Sequence, residues 1–183
     1  MTILLGGCQQ ENKPSQAPAS LPAQETKKNP NIYSNSKYGF SFSLCKKTDF
    51  EVAENYGGTV VSLLGPYLKD FKQRVAISVI ADKVPQNTKL EDRLTESMKT
   101  AESNLTNFAI TSESDTTIGG VPAKLNSFTY TMNIAELDYT FKDILAVCIK
   151  NDTLYAIKYD VPAQLHDQSV DCFNLVLSTF KFY

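Results

Sequence analysis

The sequence predicts an α+β fold: a three-layer α-β-α sandwich with a central, mainly antiparallel β-sheet. Three observations carry that reading. Short apolar runs with strand periodicity dominate from Ile32 onward and are joined by hairpin-type turns. Two stripes of helical period stand apart from the strand runs, which separates α+β from an alternating βαβ pattern. One run, Ile144–Ile149 (ILAVCI), is apolar on both faces, so the sheet must be covered on both sides.

Taken in order, Tyr38–Leu44 alternates strictly and reads as a half-buried strand, with Phe40, Phe42 and Leu44 inward. Thr59–Leu64 and Arg74–Ala81 are β-branched runs. Thr88-Lys89-Leu90-Glu91 has the spacing of a capping box, opening a helix whose stripe is Leu90, Leu94, Met98, Ala101 and Leu105. Strand patterns return at Phe108–Ser112 and Ala123–Met132, with a Gly119-Gly120 turn between them. Tyr139–Lys150 and Thr153–Val161 flank a second two-residue turn, Asn151-Asp152. After Pro162, Leu165, Ser169, Cys172, Phe173 and Val176 fit one helical face, and Leu177–Tyr183 closes the chain.

At 183 residues the chain has room for one domain and a tail. A net charge of −2, with no more than two adjacent basic residues anywhere, argues against nucleic acid as a partner. No apolar run is long enough for a membrane-spanning helix.

The start is different in kind. Leu5-Gly6-Gly7-Cys8 has the small-residue approach to a cysteine that lipid-transferring and cleaving enzymes of bacterial lipoproteins require, with Ile3 and Leu4 before it. The apolar segment is shorter than the roughly 7–15 residues of a complete signal peptide, and no basic residue precedes Cys8. Residues 1–7 are therefore read as the remnant of a lipoprotein signal whose true start lies upstream. Residues 8–31 are read as the lipid-attachment Cys8 followed by a disordered tether. That tether (QQENKPSQAPASLPAQETKKNPN) holds four prolines, four glutamines and no aromatic residue, too little apolar surface to offset its ordering entropy. Its root-mean-square reach is on the order of 25 Å. Gln9 stands where an Asp would favour retention in the inner membrane of a Gram-negative cell. Residues 32–183 form the globular domain.

The order of motifs resembles a known family. Tyr38-Gly39-Phe40-Ser41-Phe42, a central amphipathic helix, Thr117-Ile118-Gly119-Gly120-Val121-Pro122-Ala123 and Leu177-Ser178-Thr179-Phe180-Lys181-Phe182 are similar to the PsbP-like family over residues 33–182. The resemblance implies an α-β-α sandwich around an antiparallel sheet. It also implies an accessory binding protein, as in extrinsic photosystem II subunits, bacterial lipoproteins and a eukaryotic Ran-binding relative, rather than an enzyme. The Pro-x-x-Trp-like segment of photosynthetic members is replaced by Cys45-Lys46-Lys47-Thr48-Asp49-Phe50. With no tryptophan, and with His166 the single histidine, their photosystem-binding and zinc-binding features do not carry over.

With Cys8 lipidated, Cys45, Cys148 and Cys172 remain. Strand and helix lengths place Cys148 and Cys172 at a similar level, which makes them a candidate disulfide. The alternative is three small buried thiols, and Cys45 has no predicted partner. Enzyme signatures fail: Gly57-Gly58 and Gly65 are too far apart for a phosphate loop, and Ser62 lacks the glycines of a nucleophile elbow. His166-Asp167 is half of a hydrolytic triad at most, and its position in the first turn of the last helix reads as a solvated face. Glu136, Asp138 and Asp143 form an acidic group suited to weak cation binding or simply to solvation. No catalytic residue, cofactor or metal site is assigned.

The expected function is a non-enzymatic, lipid-anchored lipoprotein of the bacterial cell envelope. Its domain lies outside the cytoplasm, its membrane contact is the lipid on Cys8, and its partner is an envelope protein. The alternative is a lipoprotein binding a small molecule or cation between sheet and helices; a hydrolase built on His166 is the third.

Overall fold

The computed structural model describes residues 31–46, 50–67 and 74–183. Its frame is a seven-stranded antiparallel sheet built from β3 (Glu51–Glu54), β4 (Val61–Tyr67), β5 (Arg74–Lys83), β6 (Thr106–Ile118), β7 (Val121–Ile134), β8 (Leu137–Lys150) and β9 (Thr153–Asp160). The spatial order is β3-β4-β5-β9-β8-β7-β6. A second sheet, order β1-β2-β10, joins β1 (Ile32–Asn35), β2 (Phe40–Ser43) and the closing β10 (Lys181–Phe182). The helices are α1 (Leu90–Asn104) and α2 (His166–Thr179).

Alternation along β8 divides the interior into two cores. Ala146 and Cys148 face α2 and the small sheet, where Ile77, Ile157, Tyr159, Phe173 and Val176 pack with Phe40, Phe42 and Phe180. Phe141, Leu145 and Val147 point the other way, joining Phe128, Tyr130, Leu154 and Leu94 beneath α1. Each face thus carries one helix, as the double-sided ILAVCI run requires. The sandwich is met only in part: the α2 layer is shared with the three-stranded sheet, so the described residues are mainly antiparallel β with two α-helices. The Tyr38–Leu44 run, read as a half-buried strand, forms one at Phe40–Ser43 and belongs to that second sheet. Phe40 stacks on Phe180 at 5.1 Å between centroids.

Helix α1 begins one residue later than the capping box predicts. Lys89 is its N-cap, without a side-chain cap, and the Thr88 hydroxyl turns back to donate to the Pro85 carbonyl at 2.6 Å. Glu91 and Asp92 in the first turn complement the positive end of the helix instead.

Three two-residue hairpin turns join the long strands: Gly119-Gly120, Ala135-Glu136 and Asn151-Asp152, the first and last as the sequence predicts. Gly119 adopts φ +56, and a Cβ there would lie 2.7 Å from the Phe182 ring, so both conformation and space call for glycine. The second turn is Ala135-Glu136, joining Ile134 to Leu137. Both residues have positive φ (50 and 67), a conformation that disfavours L side chains. Replacing them with Asn-Gly is expected to raise stability by roughly 1 kcal/mol, measured as a higher denaturation midpoint with an unchanged slope.

Candidate functional site

Cys8 and the tether lie outside the described residues. Of the other cysteines, the structure joins Cys45 to Cys172, with Cα atoms 5.3 Å apart, and leaves Cys148 free and buried. The candidate Cys148–Cys172 bridge is therefore corrected. Lengths alone ran α2 back along β8 and β9, whereas α2 packs on β5 and β9 and lies beside β2. The level of Cys148 is taken by the small sheet: Tyr155, its β9 partner, meets Phe182 at 4.8 Å. Beyond β2, whose Ser43 amide donates to Thr179 Oγ1 at 3.0 Å, the chain passes along α2 and brings Cys45 to Cys172. Burial pushes the Cys148 thiol up to about 12, which removes it as a nucleophile.

His166 is not on a solvated face: it is 8% exposed, its ring 5.6 Å from that of Tyr159. Its Nδ1 lies 2.8 Å from Asp167 Oδ1, and Nε2 is buried without a hydrogen-bond partner among the described residues. The nearest hydroxyl in sequence, Ser169, donates to the Leu165 carbonyl and lies 2.7 Å from the Tyr159 hydroxyl. It does not complete a relay with His166.

The acidic group is taken apart as well. Glu136 sits in the hairpin turn, Asp138 accepts from Asn133 at 2.8 Å, and Asp143 is fully buried. Asp143 shares its face of β8 with Phe141 and Leu145, a parity that marks it in the sequence as a core acid. There it meets Lys158 at 3.2 Å, but that ammonium is closer to Asp160, at 2.8 Å. One cation is thus divided between two carboxylates. Burial first, and then Asp160, push the Asp143 carboxyl up to about 7, against the opposing pull of Lys158. The two carboxylates outweigh the burial of Lys158 and hold its ammonium above the ordinary lysine range.

Helix α1 rests over the β6–β8 side of the sheet and leaves a cleft of about 740 Å³ against the β6–β7 hairpin. Leu94, Met98 and Phe108 give it an apolar floor, while Glu91, Glu102, Glu113 and Asp115 line its rim. Asn126, 4% exposed, also lines it. A polar residue in the same alternation as Phe128 and Tyr130 was the signal for this position. A second cleft, of about 530 Å³, lies where Thr116 and the Gly119-Gly120 turn meet the end of α2 and β10.

No sequence-family model matches the chain, and no curated protein does either. Solved structures do. The solution structure of cyanobacterial PsbP from Synechocystis sp. PCC 6803 is 16% identical, with a TM-score of 0.59 over 83% of this chain and 91% of that one. The chain has the PsbP-type fold. LpqN of Mycobacterium tuberculosis, described as involved in cell envelope biogenesis, shares it at 14% identity and a TM-score of 0.62, over 82% of this chain and 90% of that one. So does the Ran-binding protein Mog1p of Saccharomyces cerevisiae, at 10% identity and a TM-score of 0.55 over 82% and 94%. The PsbP-like resemblance of the Tyr38–Phe42, Thr117–Ala123 and Leu177–Phe182 motifs thus agrees with the architecture.

Proposed function

We propose that this chain is an exported lipoprotein whose PsbP-type domain acts without chemistry of its own, as an accessory module binding a protein of the cell envelope. The observation that carries the reading is the Cys45–Cys172 disulfide, because such bonds persist in oxidising compartments outside the cytoplasm. It agrees with the lipoprotein pattern at Leu5-Gly6-Gly7-Cys8. Two neighbours in fold support the binding role, one described as involved in envelope biogenesis and one as Ran-binding. The mechanism is tethering. Lipid on Cys8 holds residues 32–183 at the membrane, and the 9–31 segment sets the reach, raising the local concentration of the domain near its partner. More than one acyl chain is needed for stable anchoring, which the lipoprotein modification supplies.

The test is the mass of the N-terminal peptide from detergent-extracted native protein. A peptide beginning at Cys8 and carrying a diacylglyceryl group is expected; an unmodified peptide running through Cys8 would sink the reading. A second reading, a small-molecule or cation carrier, is favoured by the cleft beneath α1, whose volume is of the size that small ligands occupy. A ligand bound there raises the melting temperature in a thermal-shift screen.

A further inference from the structure

Strand β6 is an edge of the seven-stranded sheet, and among the described residues no strand pairs with its outer side. The Gly119-Gly120 turn fixes which of its groups face outward. Residues flanking a two-residue turn exchange both ladder bonds, and bonded and non-bonded pairs then alternate along the hairpin. Ile118 faces Val121, so Thr116 and Ser114 bond inward to β7. The N–H and C=O groups of Glu113, Asp115 and Thr117 therefore point away from the sheet. From Ser112 to Ile118 the register is unbroken, because both irregularities of β6 lie before Ser112. This stretch contains neither the proline nor the lysine that commonly blunts an exposed edge.

The two clefts lie on opposite faces of this same edge. Glu113 and Asp115 border the one beneath α1, and Thr116 borders the one at the end of α2. A strand added to β6 sends successive side chains alternately to the two faces, so both clefts are in position to take them.

We propose that the β6 edge from Glu113 to Thr117 receives an extended, cationic segment of a partner protein by strand addition. This rests on the reading of the domain as a protein-binding module. The charge selects the occupant: four acids line the first cleft against Lys99 and Lys124, and Lys124 is already held by Asp115 at 2.6 Å. Asn126, buried on that floor, carries an amide donor and acceptor that suit an incoming side chain. A second copy of the chain fits poorly, since antiparallel β6–β6 pairing sets Glu113 and Asp115 against the same acids, and like charges placed opposite destabilise a sheet.

The experiment is amide hydrogen exchange by NMR on the full, unlipidated chain. The probe is a capped nine-residue peptide alternating lysine with valine, and the control replaces lysine with glutamate. The lysine peptide is expected to slow exchange at Glu113, Asp115 and Thr117 by roughly tenfold or more, and the glutamate peptide to leave it unchanged. Thr117→Pro removes an outward donor without breaking the ladder to β7, and is expected to abolish the protection while the melting temperature stays near the parent's. Glu113→Lys keeps the edge and weakens binding through charge alone. Unchanged exchange at millimolar peptide, protection mapping elsewhere, or a Thr117→Pro variant that binds normally would each overturn the proposal. Slow exchange at these amides without peptide would also overturn it, assigning the edge to a second copy if it rises with protein concentration and to this chain's own residues if it does not. The lipid mass on Cys8 is read independently, so the edge proposal can fail while the envelope reading stands.

Discussion

Breaking the Cys45–Cys172 bridge is expected to lower the melting temperature by roughly 10 °C. The bond spans a sequence separation of 127 residues. For a loop of that size the chain-entropy relation gives about 5 kcal/mol at 25 °C, with typical measured values of 2–4. A domain of this size loses roughly 2–4 °C per kcal/mol. Cys172 is 1% exposed, so a serine there adds a buried hydroxyl. Reduction of the unaltered protein avoids that addition and is the cleaner measurement. Thermal melts of oxidised protein, reduced protein and a Cys45→Ala/Cys172→Ala variant are expected to place the last two together, well below the first. Cys148→Ala serves as the contrast: it removes one buried sulfur, costs about 1 kcal/mol, and leaves the gap between oxidised and reduced protein intact. A gap that disappears with Cys148 and survives loss of Cys45 would reinstate the other pairing.

That pairing shows where the sequence stops being informative. Local period and composition locate β8, because ILAVCI is apolar in both parities, and locate α1, because Leu90, Leu94, Met98, Ala101 and Leu105 fall on one stripe. They also locate the β6–β7 hairpin through Gly119-Gly120. They do not locate the hairpin at Ala135-Glu136, whose residues carry no turn preference and hold positive φ because fourteen-residue strands on either side fix it. Nor do they place Cys45, since its partner depends on where the second sheet docks on α2, a contact between segments more than 120 residues apart. The polar positions were partly legible. Asp143 and Asn126 each share an alternation with large apolar neighbours; the Asn151-Asp152 turn already brings Lys158 beside the first, whereas the docking of α1 that forms the cleft over the second is a long-range contact.

Asp143 gives the second large effect, and its sign follows from proton linkage. Its carboxyl is held at about 7 in the fold, against an ordinary value of 3.8. The native state therefore binds more protons than the unfolded chain between these values, and stability falls as pH rises through that window. The contribution is fully present below about pH 4 and lost by the time pH passes 7. At about 1.4 kcal/mol per pH unit, the change is on the order of 4 kcal/mol. Lys158, with its ammonium held above the usual range, stays charged in both states across this interval and adds no slope of its own. Denaturant titrations of Asp143→Asn are accordingly expected to lose most of the decline between pH 4 and 7 seen in the parent. Lys158→Met separates the cation from the acid. Above pH 7 it leaves Asp143 without its neutralising partner and is expected to cost about 3–5 kcal/mol, the range for breaking a buried ion pair by removing one member. At pH 5 Asp143 is already neutral, so much of that cost is absent. A Lys158→Met penalty that is the same at pH 5 and pH 8 would mean that Asp143 is ionised throughout, held by Lys158 as a simple buried pair. The shared-cation arrangement, with Asp160 at 2.8 Å and Asp143 at 3.2 Å, argues for the pH-dependent outcome.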